Sequence, residues 1–280
     1  MKLDLLKTLV ESPLSRRDFA KKMGITAGGL VGASMLGSTL LSGVTKAAAQ
    51  ESSAAASPSA TVTDADILNF ALNLEYLEAE FYTKAVTGKN LIQAGIIPGS
   101  AETGPTTGGT QINFGAAPEI KMIAQQIMDD EQSHVKFLRS ALGSGAVKKP
   151  TINLNAAGGF TNYKQFLELA RDFEDVGVSA YGGAAPLIKN STYLAAAARI
   201  ALAEAEHSGV IRLKMVLTGL QEPKVDSQDI PPTWSNLFSL NSSGFAIVRS
   251  TSQVLKIVYA GGTNKGGFYP DGFNGTIHTA

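Results

Sequence analysis

The chain has 280 residues, of which 44% are hydrophobic, with 24 basic and 24 acidic side chains and no cysteine. That length holds one large domain or two small ones, and the apolar fraction is enough for a buried core. Zero net charge argues against a nucleic-acid partner, and the lack of thiols excludes disulfides, thiolate metal sites and a cysteine nucleophile, so any metal must be held by oxygen and imidazole.

Ser15-Arg16-Arg17-Asp18-Phe19 is a twin-arginine pattern. A Gly/Ala/Leu-rich segment follows from roughly Gly24 to Val44, then Lys46 and the small-residue run Ala47-Ala48-Ala49. The order of parts resembles a twin-arginine export signal spanning residues 1–49, with cleavage after Ala49. The segment is rich in Gly, Ser and Thr for a membrane span, and an uncleaved anchor is the other reading. Removal of the signal leaves a net charge of about −4. Substrates of the twin-arginine export machinery cross the membrane folded, often with a cofactor in place, so the resemblance implies a periplasmic or otherwise exported protein. Residues 50–62 are Ser/Ala/Pro-rich and read as a flexible linker.

Thr63, with Asp66 at the third helical position, reads as the N-cap of a first helix. Ile67, Phe70, Ala71, Leu74, Phe81 and Ala85 recur with a 3.6-residue period, and Gly88 ends the helix. Glu75 and Glu78 fall on or beside this stripe, where a bare carboxylate is costly unless it is paired, protonated or bound to metal. Gly88 to Ala117 is rich in Gly, Pro and Thr and reads as a long loop. Pro118 opens a second helix that runs to about Leu142, with Glu131 and His134 in the middle of its apolar face. A loop over residues 144–160 precedes a third helix capped by Thr161, carrying Phe166, Leu169, Phe173, Glu174 and Val178 and ending around Gly182-Gly183 or Pro186. Ser191 caps a fourth, with Leu194, Ala197, Ala201, Glu204, His207, Ile211 and Met215 on one face and Gly219 at its close. Residues 220–280 read as an extension: an irregular wrapping segment with Trp234, one further helix from Ser243 to Val258, and a loop-like end. Its Phe268, Tyr269 and Phe273 are expected to cover the bundle or an oligomer partner. His278 reads as a solvated terminal residue.

Two of the three histidines, His134 and His207, stand three residues after a Glu. Residues three apart share a helix face, so each Glu-x-x-His aims a carboxylate and an imidazole at one point, a pattern used by metal sites inside four-helix bundles. The halves repeat weakly. Glu75 and Glu174 are each followed seven residues later by a tyrosine, Tyr82 and Tyr181, and His134 and His207 five residues later by an arginine, Arg139 and Arg212. The repeat favours Glu75 over Glu78 as the first helix's contribution, because Glu78 aligns with Gly177. Glu78 then stands as an additional ligand or a supporting group.

The set Glu75, Glu131-x-x-His134, Glu174 and Glu204-x-x-His207 resembles the ferritin-like di-metal carboxylate superfamily of bacterioferritins, rubrerythrins and manganese catalases, over about Thr63 to Gly219. The closer likeness is to exported bacterial ferritin-like proteins related to plant desiccation-associated proteins. The resemblance implies an all-α, ferritin-like four-helix bundle holding two iron or manganese ions. Glu131 and Glu204 would bridge them, Glu75 with His134 and Glu174 with His207 would be terminal ligands, and Tyr82 and Tyr181 would lie near the metals as catalytic candidates. Ferroxidase, peroxidase or catalase-like chemistry on dioxygen, peroxide or ferrous iron would use the same residues. The long insertion between the first two helices and the C-terminal extension depart from compact ferritins and argue against a storage cage; a homo-oligomer stays open. The competing readings are a polar network inside a helical bundle, and a non-enzymatic stress or envelope protein whose site is a structural clip or vacant. The tyrosines read equally as core fillers, and Arg139 and Arg212 as structural groups pairing with loop carboxylates. Asp129, Asp130, Asp175 and Glu206 read as solvated or supporting.

Overall fold

A computed structural model describes residues 62–100 and 103–280; the predicted export signal and all but the last residue of the linker lie outside the described residues. The first helix, α1 (Asp64–Thr87), begins with the predicted capping box: Asp66 N–H donates to the Thr63 side chain and Thr63 N–H to the Asp66 carboxylate. It ends at Gly88, whose φ of 76° closes the last turn onto Lys84 O. The second helix, α2 (Pro118–Leu142), starts at the expected proline with no side-chain cap. The third and fourth, α3 (Tyr163–Ala184) and α4 (Ser191–Leu217), are capped one residue away from the expected Thr161 and Ser191, by Asn162 and Asn190. Each asparagine carboxamide accepts two backbone N–H groups of the first turn, while the Thr161 hydroxyl donates to Gln165 instead. The last helix, α5 (Thr251–Val258), is shorter than predicted and starts after Ser250, which forms a capping box with Gln253. The residues before it are held in a turn, in which the Asn241 carboxamide accepts from the N–H of Ser243 and Phe245.

α1 packs against α2 and α3, α3 against α4, and α2 meets α4, giving the four-helix bundle; α5 leans on α3. The single apolar stripe expected of α1 is exceeded: from Ile67 to Val86 only Asn69 and Lys84 are not buried. A helix buried on every face needs cover on every side, and the end of the chain supplies it. Phe273 lies 5.4 Å from Phe70, the Tyr269 hydroxyl donates to Asn73 O, and the Asn73 carboxamide exchanges hydrogen bonds with the backbone of Asn274. Phe268, Tyr269 and Phe273 are therefore spent on the bundle itself. The Gly/Pro/Thr loop between α1 and α2 is also tied down. Its strand β1 (Thr106–Thr107) pairs in parallel with β2 (Ile152–Asn153) in the crossover between the halves, and Leu91, Ile97, Ile112 and Phe114 enter the core.

Three arginines hold the wrapping segment. Arg171 on α3 binds Glu222 and Asp229. Arg212 on α4 donates to Leu237 O and Ile230 O, and Arg249 binds Asp226. The expectation that Arg139 and Arg212 pair with loop carboxylates is corrected. Arg139 donates to the Tyr76 hydroxyl, and Arg212 pairs at 2.5 Å with Asp175, a buried carboxylate on α3. Among the described residues no helix is long and apolar enough to cross a membrane.

Candidate metal centre

Each helix of the bundle carries its predicted residues at mid-length, and the four meet. Glu75, Glu131, His134 and Glu204 form one group with ligand atoms within 4.8 Å of one another; Glu131, Glu174, Glu204 and His207 form a second. Glu131 and Glu204 belong to both. His134 Nδ1 lies 3.2 Å from Glu75, 3.3 Å from Glu131 and 3.4 Å from Glu204. His207 Nδ1 lies 3.0 Å from Glu131 and 3.3 Å from Glu174.

These atoms have little else to bind. Glu75 Oε2, Glu131 Oε1, Glu174 Oε2, both oxygens of Glu204 and His207 Nδ1 are buried without a hydrogen-bond partner. Unsatisfied buried polar atoms are uncommon in folded proteins, and six of them converging on one point is the arrangement a cation would complete. The spacing fits as well. Ligands held roughly 2.0–2.2 Å from a metal at right angles stand about 3 Å apart, close to the separations seen here. The donors are oxygen and imidazole nitrogen throughout, a set suited to iron or manganese.

The other carboxylate oxygens are fixed from outside. Tyr82 on α1 donates to Glu174 on α3, and Tyr181 on α3 donates to Glu75 on α1, both at 2.5 Å. The two predicted tyrosines thus act on the centre through its carboxylates. On the far side of His207, Asp130 stands 3.2 Å from Nε2 and leaves Nδ1 facing the centre, the supporting one of the two readings given for it. Asp175 is buried rather than solvated, bonded to Ser208 and Arg212.

Glu78 is also buried, at 4% exposure, but belongs to neither group. It stands beside them: a Cβ at Gly177 would fall 2.9 Å from Glu78 Oε1 and 2.6 Å from Glu204 Oε2. Gly177 is a site residue that sequence reasoning noticed only as the partner of Glu78 in the internal repeat. Its missing side chain makes room for two carboxylates.

Five buried carboxylates cannot all stay charged in one dry space. Burial, and then the Glu131 charge, push Glu75 up to about 7. Burial and neighbouring carboxylates drive Glu78 and Glu204 well above the usual range, and burial raises Glu174. Glu131 goes the other way. Burial would raise it, but the adjoining imidazoles of His134 and His207 outweigh burial and hold it at about 2. Burial opposes charge on the imidazoles too, yet the surrounding carboxylates raise both, His207 to about 12. The site thus favours charge on Glu131 and on the two imidazoles and disfavours it on the carboxyls around them.

A groove of about 740 Å³ lies against the centre between α2 and α4, lined by Ser133, His134, Phe137, Ala196, Arg199 and Ile200 among others. It reaches one of the predicted ligands directly, because the His134 side chain keeps 13% of its surface exposed.

Residues 63–216 match the family model of the ferritin-like domain. The protein named ferritin-like catalase Nec2, from Nesocodon mauritianus, is 24% identical over 275 residues, covering 76% of this chain and 84% of that protein. Desiccation-related protein PCC13-62, from Craterostigma plantagineum, is 29% identical over 168 residues, covering 54% of this chain and 52% of that protein.

Proposed function

This chain belongs to the ferritin-like domain family, and we propose that its interior holds two iron or manganese ions and disproportionates hydrogen peroxide to water and dioxygen. The observation that carries the reading is the convergence of six orphaned buried donor atoms on two overlapping ligand groups. Glu131 and Glu204, common to both groups, would serve both ions, Glu75 with His134 would hold one and Glu174 with His207 the other. When bound, a metal pair supplies reversible one-electron steps at each ion and spreads the charge change over bridging carboxylates.

The chain's own residues do the rest. Tyr82 and Tyr181 pin the outer oxygens of Glu174 and Glu75, so the inner oxygens are pre-aimed. Asp130 fixes the ring of His207. Phe81 and Phe166 pack against the ring of Tyr82 and hold it in place beside Glu174. The groove at His134 admits a small neutral oxidant. The relative named a catalase favours peroxide over ferrous iron as substrate. The twin-arginine pattern implies loading in the cytoplasm before export to the periplasm.

The test is metal content by elemental mass spectrometry on protein exported by its own signal, beside a Glu131→Ala/Glu204→Ala double variant, with dioxygen release from peroxide measured on both. Near two equivalents of iron or manganese and dioxygen release, both lost in the variant, are expected. Two equivalents without dioxygen release would move the substrate to ferrous iron or a peroxidase donor. Little metal in either protein would leave a non-enzymatic stress or envelope protein.

A further inference from the structure

The centre is approached from two directions of different character. The groove between α2 and α4 offers hydroxyls, apolar surface and the guanidinium of Arg199. The other approach runs along α1 and α3. An outer cavity of about 410 Å³, lined by Glu168, Asp172, Glu222 and Lys224 among others, shares Ala157, Asp172 and Val225 with an inner cavity of about 170 Å³. The inner cavity is walled mainly by apolar side chains, among them Leu74, Leu77, Val176 and Phe268, and ends on Glu78 and Gly177. Glu78 is 4% exposed, lines this cavity, and accepts no hydrogen bond from the described residues. Beyond it only the missing Cβ of Gly177 separates Glu78 from Glu204. An unpaired buried carboxylate and a glycine inside a helix both work against stability. Together they leave the Glu78 carboxylate at the boundary between cavity and centre.

We propose that this is the route by which divalent cations load the centre, with Glu78 as the last transit ligand before Glu204 and Glu131. The proposal rests on the metal-centre reading above. Carboxylates recur at every stage: Glu168 and Glu222 outside, Asp172 at the junction, Glu78 within. The outer stage is of mixed charge, since Arg171 contacts Asp172 and Glu222 and Lys224 lines the same cavity. Such a stage binds a cation weakly enough to release it, which a transit site requires. Asp172 Oδ1 lies 3.1 Å from Arg171 yet is buried without a hydrogen bond. The other groove carries the Arg199 guanidinium and no carboxylate, and is left to the uncharged oxidant.

The experiment follows uptake, not turnover. Chelator-stripped protein is mixed with manganous ion, and loss of the free-ion paramagnetic resonance signal is timed, with final equivalents measured. Glu78→Gln, nearly the same shape without the charge, is expected to slow uptake by about tenfold, which corresponds to about 1.4 kcal/mol on the barrier, while final equivalents match the unaltered protein. Val225→Trp, which plugs the junction, should slow uptake as well; Ala196→Trp, in the α2–α4 groove, should not. Unchanged rates in both Glu78→Gln and Val225→Trp would overturn the route alone. Fewer final equivalents in Glu78→Gln would make Glu78 a resident ligand and overturn its transit role. An unaltered protein that takes up no metal would overturn the metal centre, and the route with it.

Discussion

Removing metal should unsettle this fold more than losing any single packing contact. Glu75, Glu78, Glu131, Glu174 and Glu204 share one interior space, each at most 4% exposed. Among the described residues, the imidazoles of His134 and His207 are the basic groups that contact Glu75, Glu131, Glu174 and Glu204. A ligand present at 100 times its dissociation constant stabilises by about 2.7 kcal/mol, so two filled sites contribute about 5 kcal/mol. Each kcal/mol moves the melting temperature by roughly 2–4 °C in a domain of this size, which gives a difference of about 10–20 °C. Scanning calorimetry on metal-loaded and chelator-stripped protein measures it directly. Glu204→Gln sharpens the test. Both Glu204 oxygens lack partners, so the neutral amide should abolish the metal-dependent shift, while the metal-free variant melts at least as high as metal-free parent. A variant that keeps the full shift, or a loaded parent indifferent to chelator, would refute the reasoning.

Three further outcomes follow from the same geometry. In the metal-free protein Glu75 is pushed up to about 7, above its unfolded value of 4.5; such a group stabilises fully below about 4.5 and loses that contribution as pH climbs through about 7. Metal-free protein should therefore melt lower at pH 8 than at pH 5, and the stabilisation on adding metal should grow across that interval, as paired melts at each pH will show. Gly177→Ala, although alanine is favoured in a helix interior by about 1 kcal/mol, should lower both melting temperature and metal equivalents, because its Cβ meets Glu204 and Glu78; a more stable, fully loaded variant would contradict this. Tyr82→Phe removes one charge-assisted bond to Glu174, worth about 1.5–3 kcal/mol, and Tyr181→Phe removes its counterpart on Glu75; denaturant melts of the loaded protein should show comparable losses.

What was legible in the sequence is what depends on helical period. Glu-x-x-His occurs twice at a spacing that fixes a shared face, so the six-residue constellation could be assembled before any coordinates. Thr63, Gly88 and Pro118 set helix ends through local chemistry alone, and the structure keeps all three. The misplaced caps are also local: Asn162 and Asn190 each adjoin the chosen Thr161 or Ser191, and the asparagine wins by accepting two N–H groups at once. The remaining differences are contacts distant in the chain. α1 is buried all round because residues some 200 positions later close over it. Arg212 finds Asp175 on a neighbouring helix, and β1 finds β2 across 45 residues. No periodicity encodes those partners.

The internal repeat explains both the order of the centre and its one defect. Seven residues are two helical turns, so Glu and Tyr lie on one face of α1 and again on one face of α3. Reciprocal bonding of Tyr82 to Glu174 and Tyr181 to Glu75 requires the two helices to run antiparallel, each tyrosine facing the other helix's carboxylate. A two-fold arrangement of this kind would also set a carboxylate at position 177 against Glu78. Glycine stands there instead, because the space is already filled by Glu78 and Glu204. The centre is thus two-fold in its six predicted ligands and one-sided at its fifth carboxylate, and the one-sided position is where the inner cavity meets it.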